Sequence, residues 1–330
     1  MAERQSAFCE HCRKMVEVEL AEATETTELD GVAYSYPVVH GVCLECGEPA
    51  TPAAVQDENQ RAFTKAVRKA NGIVDQDTVE DVPKKYSIGK RPLSRMLGWG
   101  EHTYSRFLDG DVPSRDYSKT IERIARSPLA YLLKLYNNIN EMSDVAFRKS
   151  KDAALRVLHD SGEAIERAAA YLIARTGSGS PLALQKELYY ADGLCISYSG
   201  APLFPDRCEA WRYGPVFPRL WEDLELKGVD ESLLFGDEVA NYLADTFSNR
   251  ELEVLDAVTR YVACFSPYVL RDCTHDESPW IDARAGIPDD APSNNEMTLE
   301  GIGSFFRDLW ERYDMEQPAD IRRYMQARIA

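Results

Sequence analysis

Four of the eight cysteines stand as two close pairs, Cys9-Glu10-His11-Cys12 and Cys43-Leu44-Glu45-Cys46. A Cys-x-x-Cys loop holds two thiolates about 2.3 Å from one metal ion, and two such loops complete a tetrahedron. The expectation is one structural zinc on Cys9, Cys12, Cys43 and Cys46, because four sulfurs leave no open position for water or substrate. A redox dithiol or a pair of disulfides is the alternative. Disulfides are disfavoured in a reducing cytoplasm, and a redox motif needs no twin. His11 and His40 lie near the pairs but are bystanders when four thiolates are available.

The elements that must position these sulfurs are strands. Val16 to Leu20 alternates apolar with acidic residues, Tyr34 to Val39 is rich in strand formers, and Asp30-Gly31 supplies a hairpin turn between them. About 50 residues make too small a core to fold unaided, which a metal would offset.

The remaining cysteines, Cys195, Cys208, Cys264 and Cys273, are scattered. Cys264 and Cys273 with His275 and Asp276 could form a thiol nucleophile or metal site. An isolated cysteine is more often a small apolar residue, so no catalytic residue is assigned and the chain is not expected to be an enzyme.

At 330 residues there is room for two or three domains, and 44% hydrophobic content supports real cores. The net charge of −17 argues against a uniformly basic coat for nucleic acid or anionic membranes. No apolar run is long enough to span a bilayer, and no apolar signal core opens the chain; no membrane association and a cytoplasmic location are expected. The charge is uneven: residues 1–60 carry −9, residues 61–126 carry +5, and the rest carry −13.

The basic island has the spacing of short helices. Glu58 to Asn71 stops at Asn71-Gly72, and Asp77 caps a short helix carrying Val79, Val82 and Tyr86. Pro92 to Leu97, a Gly98-Trp99-Gly100 turn and Glu101 to Leu108 form a helix-turn-helix, with Tyr117 to Ala125 behind it. Tyr104, Phe107 and Leu108 are the expected core face, and His102 and Arg106 share another. Candidate DNA-binding residues are Arg91, Arg95, Glu101, His102, Thr103 and Arg106, with Lys90 and Arg115 as further phosphate contacts. The bland alternative is a bundle used for protein contact, its charge a solvated face. This segment resembles the Xre-type helix-turn-helix through Leu97-Gly98, Thr103, Ser105, Arg106 and Gly110. With the knuckles before it, it resembles the MqsA/YgiT-type antitoxin regulators, except that Arg13 follows the first knuckle where that family has glycine.

Beyond Ser127-Pro128 the periodicity is helical through Tyr136, over Ala164 to Ala174 up to Gly177-Ser178-Gly179-Ser180-Pro181, then over Leu182 to Tyr190, Leu252 to Tyr261 and Leu299 to Arg312. Glu209 to Pro218 reads instead as a short strand with turns. Trp211, Tyr213 and Trp280 are core plugs or interface anchors. Three blocks carry a resemblance to the Panacea (SocA-like) antitoxin domain. They are Leu184 to Gly193 with Gly200 to Phe204, Glu209 to Pro218, and Thr274 to Trp280. The resemblance implies a scaffold that binds and neutralises a protein toxin, with Tyr189, Tyr190, Trp211, Arg212, Tyr213, His275 and Trp280 as candidate contact residues.

The expected architecture is mainly α. It comprises a small β zinc ribbon (1–56), a helix-turn-helix bundle (57–127), a helical linker (128–159) and a mostly helical Panacea domain with a short β element (160–330). The expected function is a type II antitoxin that binds its toxin directly and represses its operon by binding operator DNA, as a homodimer if paired half-sites are read. The alternative is a transcriptional regulator with a C-terminal sensor domain and no toxin.

Overall fold

A computed structural model describes residues 5–177, 180–224, 235–288 and 290–329. Ser178 and Gly179, in the loop expected to end a helix, lie outside the described residues. Among the described residues the chain is mainly α with two small antiparallel sheets. It forms two compact units, residues 1–81 with 105–122 and residues 82–104 with 123–330.

In the first unit, β1 (Gln5–Cys9), β2 (Lys14–Leu29) and β3 (Val32–Cys43) form a sheet in that order. The β2–β3 hairpin closes with Leu29 opposite Val32. Asp30 and Gly31 both take positive φ, +52° and +78°, as the tight turn read from the sequence requires. Alternation puts Ala7, Cys9, Val16, Val18 and Cys43 on one face, where they form a small core with Ala50. Helix α1 (Ala53–Ala70) starts just after Pro52, five residues before Glu58, and packs on β3. The Asn59 side chain locks the two together, accepting from the Val39 amide (2.8 Å) and donating to the Val39 carbonyl (2.9 Å).

Four short helices follow: α2 (Gln76–Lys85), α3 (Lys90–Met96), α4 (Thr103–Leu108) and α5 (Arg115–Arg126). The unit boundaries fall inside α2, α4 and α5.

The second unit continues with α6 (Pro128–Asn137), α7 (Asp144–Ser161), α8 (Ala164–Thr176) and α9 (Pro181–Ser199). Within the stretch expected to be a helical linker, α6 is buried at every position from Pro128 to Leu135. Next come β4 (Cys208–Trp211), β5 (Gly214–Val216) and α10 (Pro218–Leu224), then α11 (Asp237–Leu243), α12 (Asn249–Tyr261), α13 (Pro267–His275) and α14 (Ser278–Ala283). Strand β6 (Glu296–Met297), α15 (Leu299–Arg312) and α16 (Ile321–Ile329) end the fold. Helix α9 is the axis of the unit: every residue from Ala183 to Ile196 is buried, with α8, α12, α13, α15 and β5 around it. Gly193 admits Phe306 so closely that a Cβ there would sit 2.1 Å from the ring. Strand β4 is central in its sheet, between β5 and β6. Among the described residues no helix is long and apolar enough to cross a membrane.

Candidate functional site

The two Cys-x-x-Cys loops meet. The sulfurs of Cys9, Cys12, Cys43 and Cys46 all lie within 4.8 Å of one another, with Cys9 and Cys46 3.5 Å apart and Cys12 and Cys43 4.0 Å apart. Four sulfurs on one tetrahedral zinc would be about 3.8 Å apart, so the donor set fits that ion. The loops are built alike. Arg13 N–H donates to Cys9 O (2.7 Å) and Gly47 N–H to Cys43 O (2.9 Å), and both residues have positive φ, +55° and +76°. Arg13 therefore makes the left-handed turn that glycine makes in the second knuckle. Backbone amides also point at sulfur: Cys12 N–H reaches the Cys9 sulfur and Glu45 N–H the Cys43 sulfur, both at 3.4 Å.

The sulfurs differ in acidity. Burial opposes the Cys43 thiolate, yet the amides of Cys46 and Glu45 outweigh it and bring the thiol down to about 7. Contact with the Cys46 thiol, and then burial, push Cys12 up to about 12. Four crowded sulfurs cannot all ionise unless a cation neutralises them, which is the chemistry of a tetrathiolate metal site. His11 and His40 are not in the cluster; His40 pairs with Glu25 at 3.2 Å. Among the described residues it is the one such group; Cys264, Cys273 and His275 do not make another.

The candidate DNA-binding residues are placed as follows. Leu93, Met96, Tyr104 and Phe107 are buried, and the Ser94 hydroxyl accepts from the Tyr104 amide (3.0 Å). The helix expected from Glu101 begins at Thr103, because Thr103 N–H turns back to the Gly100 carbonyl (2.8 Å). Glu101 and His102 therefore lie in the turn, and the helical face read for His102 and Arg106 does not form. Glu101 holds Arg95 at 2.8 Å with Arg91 at 3.9 Å, and Arg106 lies 3.8 Å from Asp111. His102 is exposed; Thr103 is buried, 9% exposed. Lys90 is exposed, while Arg115 donates to the Asn71 carbonyl (2.9 Å).

In the second unit the seven candidate contact residues separate into two sets. Tyr189 and Tyr190 are fully buried on α9, where their hydroxyls donate to Oε2 and Oε1 of Glu277 at 2.8 and 2.6 Å. The hydroxyl of Tyr324 on α16 adds a third bond to Oε1, at 2.6 Å. Burial pushes Glu277 up to about 7 against the three hydroxyls, which favour its charged form. Trp280, 3% exposed, donates its indole N–H to the Trp211 carbonyl (2.9 Å), and His275 stacks on its ring at 3.9 Å. Arg284 lies over Trp280 and donates to the carbonyls of Ala210, Pro288 and Ala291.

Trp280 and Arg284 tie down the β4–β5 hairpin, whose tip carries the other set. Arg212 and Tyr213 connect the strands, and Gly214 follows with φ +103°. A side chain on Gly214 would lie 2.8 Å from both Lys186 and Thr274, so only glycine fits this corner. Arg212 and Tyr213 are exposed and Trp211 is half-buried. Beside them opens a cleft of about 600 Å³ walled by Leu182, Trp211, Tyr213, Val216, Trp221 and Pro292. Trp211 and Trp221 meet edge to face at 5.9 Å.

Sequence reasoning missed Trp221, Leu182 and Pro292. The available signal was a second tryptophan ten residues after Trp211, just inside the helix that follows the hairpin. Tyr324 and Arg284 gave no local signal at all.

Compared with known proteins, residues 184–281 match the family described as antitoxin SocA-like, Panacea domain. That stretch runs from α9 through Glu277 and Trp280 and includes the whole β4–β5 hairpin. No curated protein and no solved structure matches the chain. The second unit thus carries a Panacea, SocA-like antitoxin domain at residues 184–281.

Proposed function

We propose that the chain is the antitoxin of a type II toxin–antitoxin system and that it neutralises a protein toxin by direct binding through residues 160–330. The observation that carries this reading is that the matched stretch builds an exposed hairpin tip beside an apolar cleft. A half-buried tryptophan, an exposed arginine and an exposed tyrosine stand there together, the residue types that anchor protein interfaces. Trp211, Arg212 and Tyr213 make the contact. Tyr189, Tyr190, His275 and Trp280 hold the tip in place from behind, since truncating them would remove support and not contact area. Within this reading the role is regulatory rather than catalytic.

The Cys9, Cys12, Cys43 and Cys46 cluster takes one zinc ion, which closes the small sheet and does no chemistry. The segment from α3 to α4, in the basic stretch 61–126, binds operator DNA and represses the operon. Arg91, Arg95 and Arg106 supply the positive charge, His102 offers an exposed ring nitrogen, Glu101 orients Arg95, and Thr103 starts the helix. The acidic excess of residues 127–330 steers the chain towards a basic toxin.

The test is co-expression of the full chain with the product of the adjacent open reading frame in a host that product kills. Growth should be restored, the two proteins should co-purify, and Trp211→Ala with Tyr213→Ala should end both. Growth inhibition that persists despite soluble, zinc-loaded antitoxin would reject the reading.

A further inference from the structure

The cleft in the second unit is chemically one-sided. Its walls are mostly aromatic and aliphatic, with Ser293 and Asn294 also lining it, and the indole N–H of Trp211 is already taken, donating to Glu209 at 2.8 Å. What the two tryptophans offer is ring surface. The cation at the mouth is Arg212, which lies over the Tyr213 ring with its guanidinium carbon 5.2 Å from the centroid. A guanidinium stacked in this way keeps its N–H edges available, and among the described residues Arg212 has no hydrogen-bond or ion-pair partner. Within residues 127–330, Arg175, Arg207, Arg219, Arg271 and Arg328 each pair with a carboxylate, whereas Arg212, like Arg250 and Arg260, has only a tyrosine ring among the described residues.

We infer that the cleft receives a segment of the partner protein in which one aspartate or glutamate stands beside bulky apolar side chains. The apolar groups fill the cleft against the faces of Trp211 and Trp221, and the carboxylate takes two N–H bonds from Arg212. This rests on the antitoxin reading and adds to it the local chemistry of the toxin surface. Shape and charge both select this occupant. A cleft of this size accepts two or three apolar side chains, and burying them removes from water the walls that are now wet. A basic segment would leave Arg212 facing like charge, and a neutral one would leave it desolvated without a partner. The acidic body and the cationic mouth then play separate roles. The first draws in a partner of opposite overall charge, and the second sets the register in which that partner seats.

The probes are short amidated peptides with a central Leu-Glu-Phe and the same peptides with Leu-Gln-Phe, Leu-Lys-Phe or Ala-Glu-Ala. They are titrated against the full zinc-loaded chain with tryptophan fluorescence and NMR as readouts. The Glu peptide should bind about tenfold or more tightly than the Gln peptide, and the Lys and Ala peptides more weakly still. With Arg212→Ala the Glu and Gln peptides should bind equally, and with Trp221→Ala all should be lost while the fold, followed by circular dichroism, stays intact.

Equal affinity of Glu and Gln peptides for the unchanged chain would overturn the inference. So would binding of free phenylbutyrate as tight as the Glu peptide, which would make the cleft a small-molecule pocket. The toxin itself separates the two levels of the argument. If the chain neutralises its toxin and Arg212→Glu does so equally well, the inference fails and the antitoxin reading stands. If no toxin is neutralised while the peptides are discriminated as above, the antitoxin reading fails and the cleft chemistry stands.

Discussion

The cysteine cluster of the first unit and the Glu277 cluster of the second solve one problem by opposite means. Each gathers polar atoms from segments far apart in sequence and removes them from water. Around the cysteines the apolar support is slight, namely Ala7, Val16, Val18 and Ala50. The residues are small, so burial alone contributes little there, and the sulfurs repel one another once ionised. Around Glu277 the support is large: Phe306 packs against both Tyr189 and Tyr190, and α9 is buried along most of its length. A carboxyl can be held there by three hydroxyls without a cation. The difference teaches where each unit would be vulnerable: with a metal on its cysteines the first would depend on something it must bind, the second on groups it already contains.

The largest expected effect follows at once. Removing the metal with a strong chelator, or changing Cys43→Ser, should unfold β1 to β3, since metal binding in small tetrathiolate folds is worth on the order of 10 kcal/mol or more. Hydrogen exchange should rise to the unfolded level over residues 5–50 and stay protected on α9. Loss of protection on α9 would break the comparison. Next comes Glu277→Ala, which leaves three buried hydroxyls without an acceptor and should cost about 3–5 kcal/mol by chemical denaturation. Zinc content should not change, and Glu277→Gln should cost less because an acceptor remains.

How far these two sites were legible differs in the same way. Cys-x-x-Cys loops announce themselves because each knuckle is local, and the Asp30-Gly31 turn gave the hairpin between them. Glu277 is held by Tyr324 from 47 residues away and by Tyr189 from 88, separations that no periodicity encodes. Polarity also misleads in this interior. Gln185, Lys186 and Glu187 follow one another on α9, yet all three are buried, Gln185 accepting from the Phe217 amide (2.7 Å) and Lys186 beside the Pro215 carbonyl. Helix α6 was legible from the helical periodicity after Ser127-Pro128, and its almost wholly apolar sequence is buried from Pro128 to Leu135. The blocks matching the antitoxin family were legible as a pattern, but which of their residues face outward required the hairpin.

The comparison sharpens with pH. Burial pushes Glu166, Glu187, Asp192 and Glu277 up to about 7. Each keeps its proton in the folded chain where the unfolded chain has lost it. The folded form therefore binds more protons between about pH 4.5 and 7, and stability falls as pH rises through that window, by about 1.4 kcal/mol per unit for each acid. His159, raised by Asp160 and Asp245, adds with the same sign as it deprotonates. Burial brings Lys186 down to about 7, so its contribution runs the other way, rising with pH from about 7 to 10.5. The second unit should show a stability minimum near pH 7. Denaturation at pH 5, 6, 7 and 9 checks this, and Glu277→Gln should lower the acid-side slope by about one proton. An unchanged slope would mean that Glu277 ionises normally.

The smallest effect probes the likeness of the two knuckles themselves. Arg13 and Gly47 occupy the same left-handed position, each with its amide on the carbonyl of the first cysteine of its pair. An L side chain there costs about 1 kcal/mol, and nothing lies within 4 Å of where a Cβ on Gly47 would be. Gly47→Ala should therefore lower the stability of the zinc-loaded sheet by about 1 kcal/mol, purely through its backbone. Arg13→Gly relieves that strain but gives the unfolded chain more freedom, so its gain should be only a few tenths of a kcal/mol. Thermal melts at fixed free zinc separate the two outcomes. If Arg13→Gly is instead destabilising by as much as Gly47→Ala, then the Arg13 side chain contributes something that its turn geometry does not, and the two knuckles are alike in shape only.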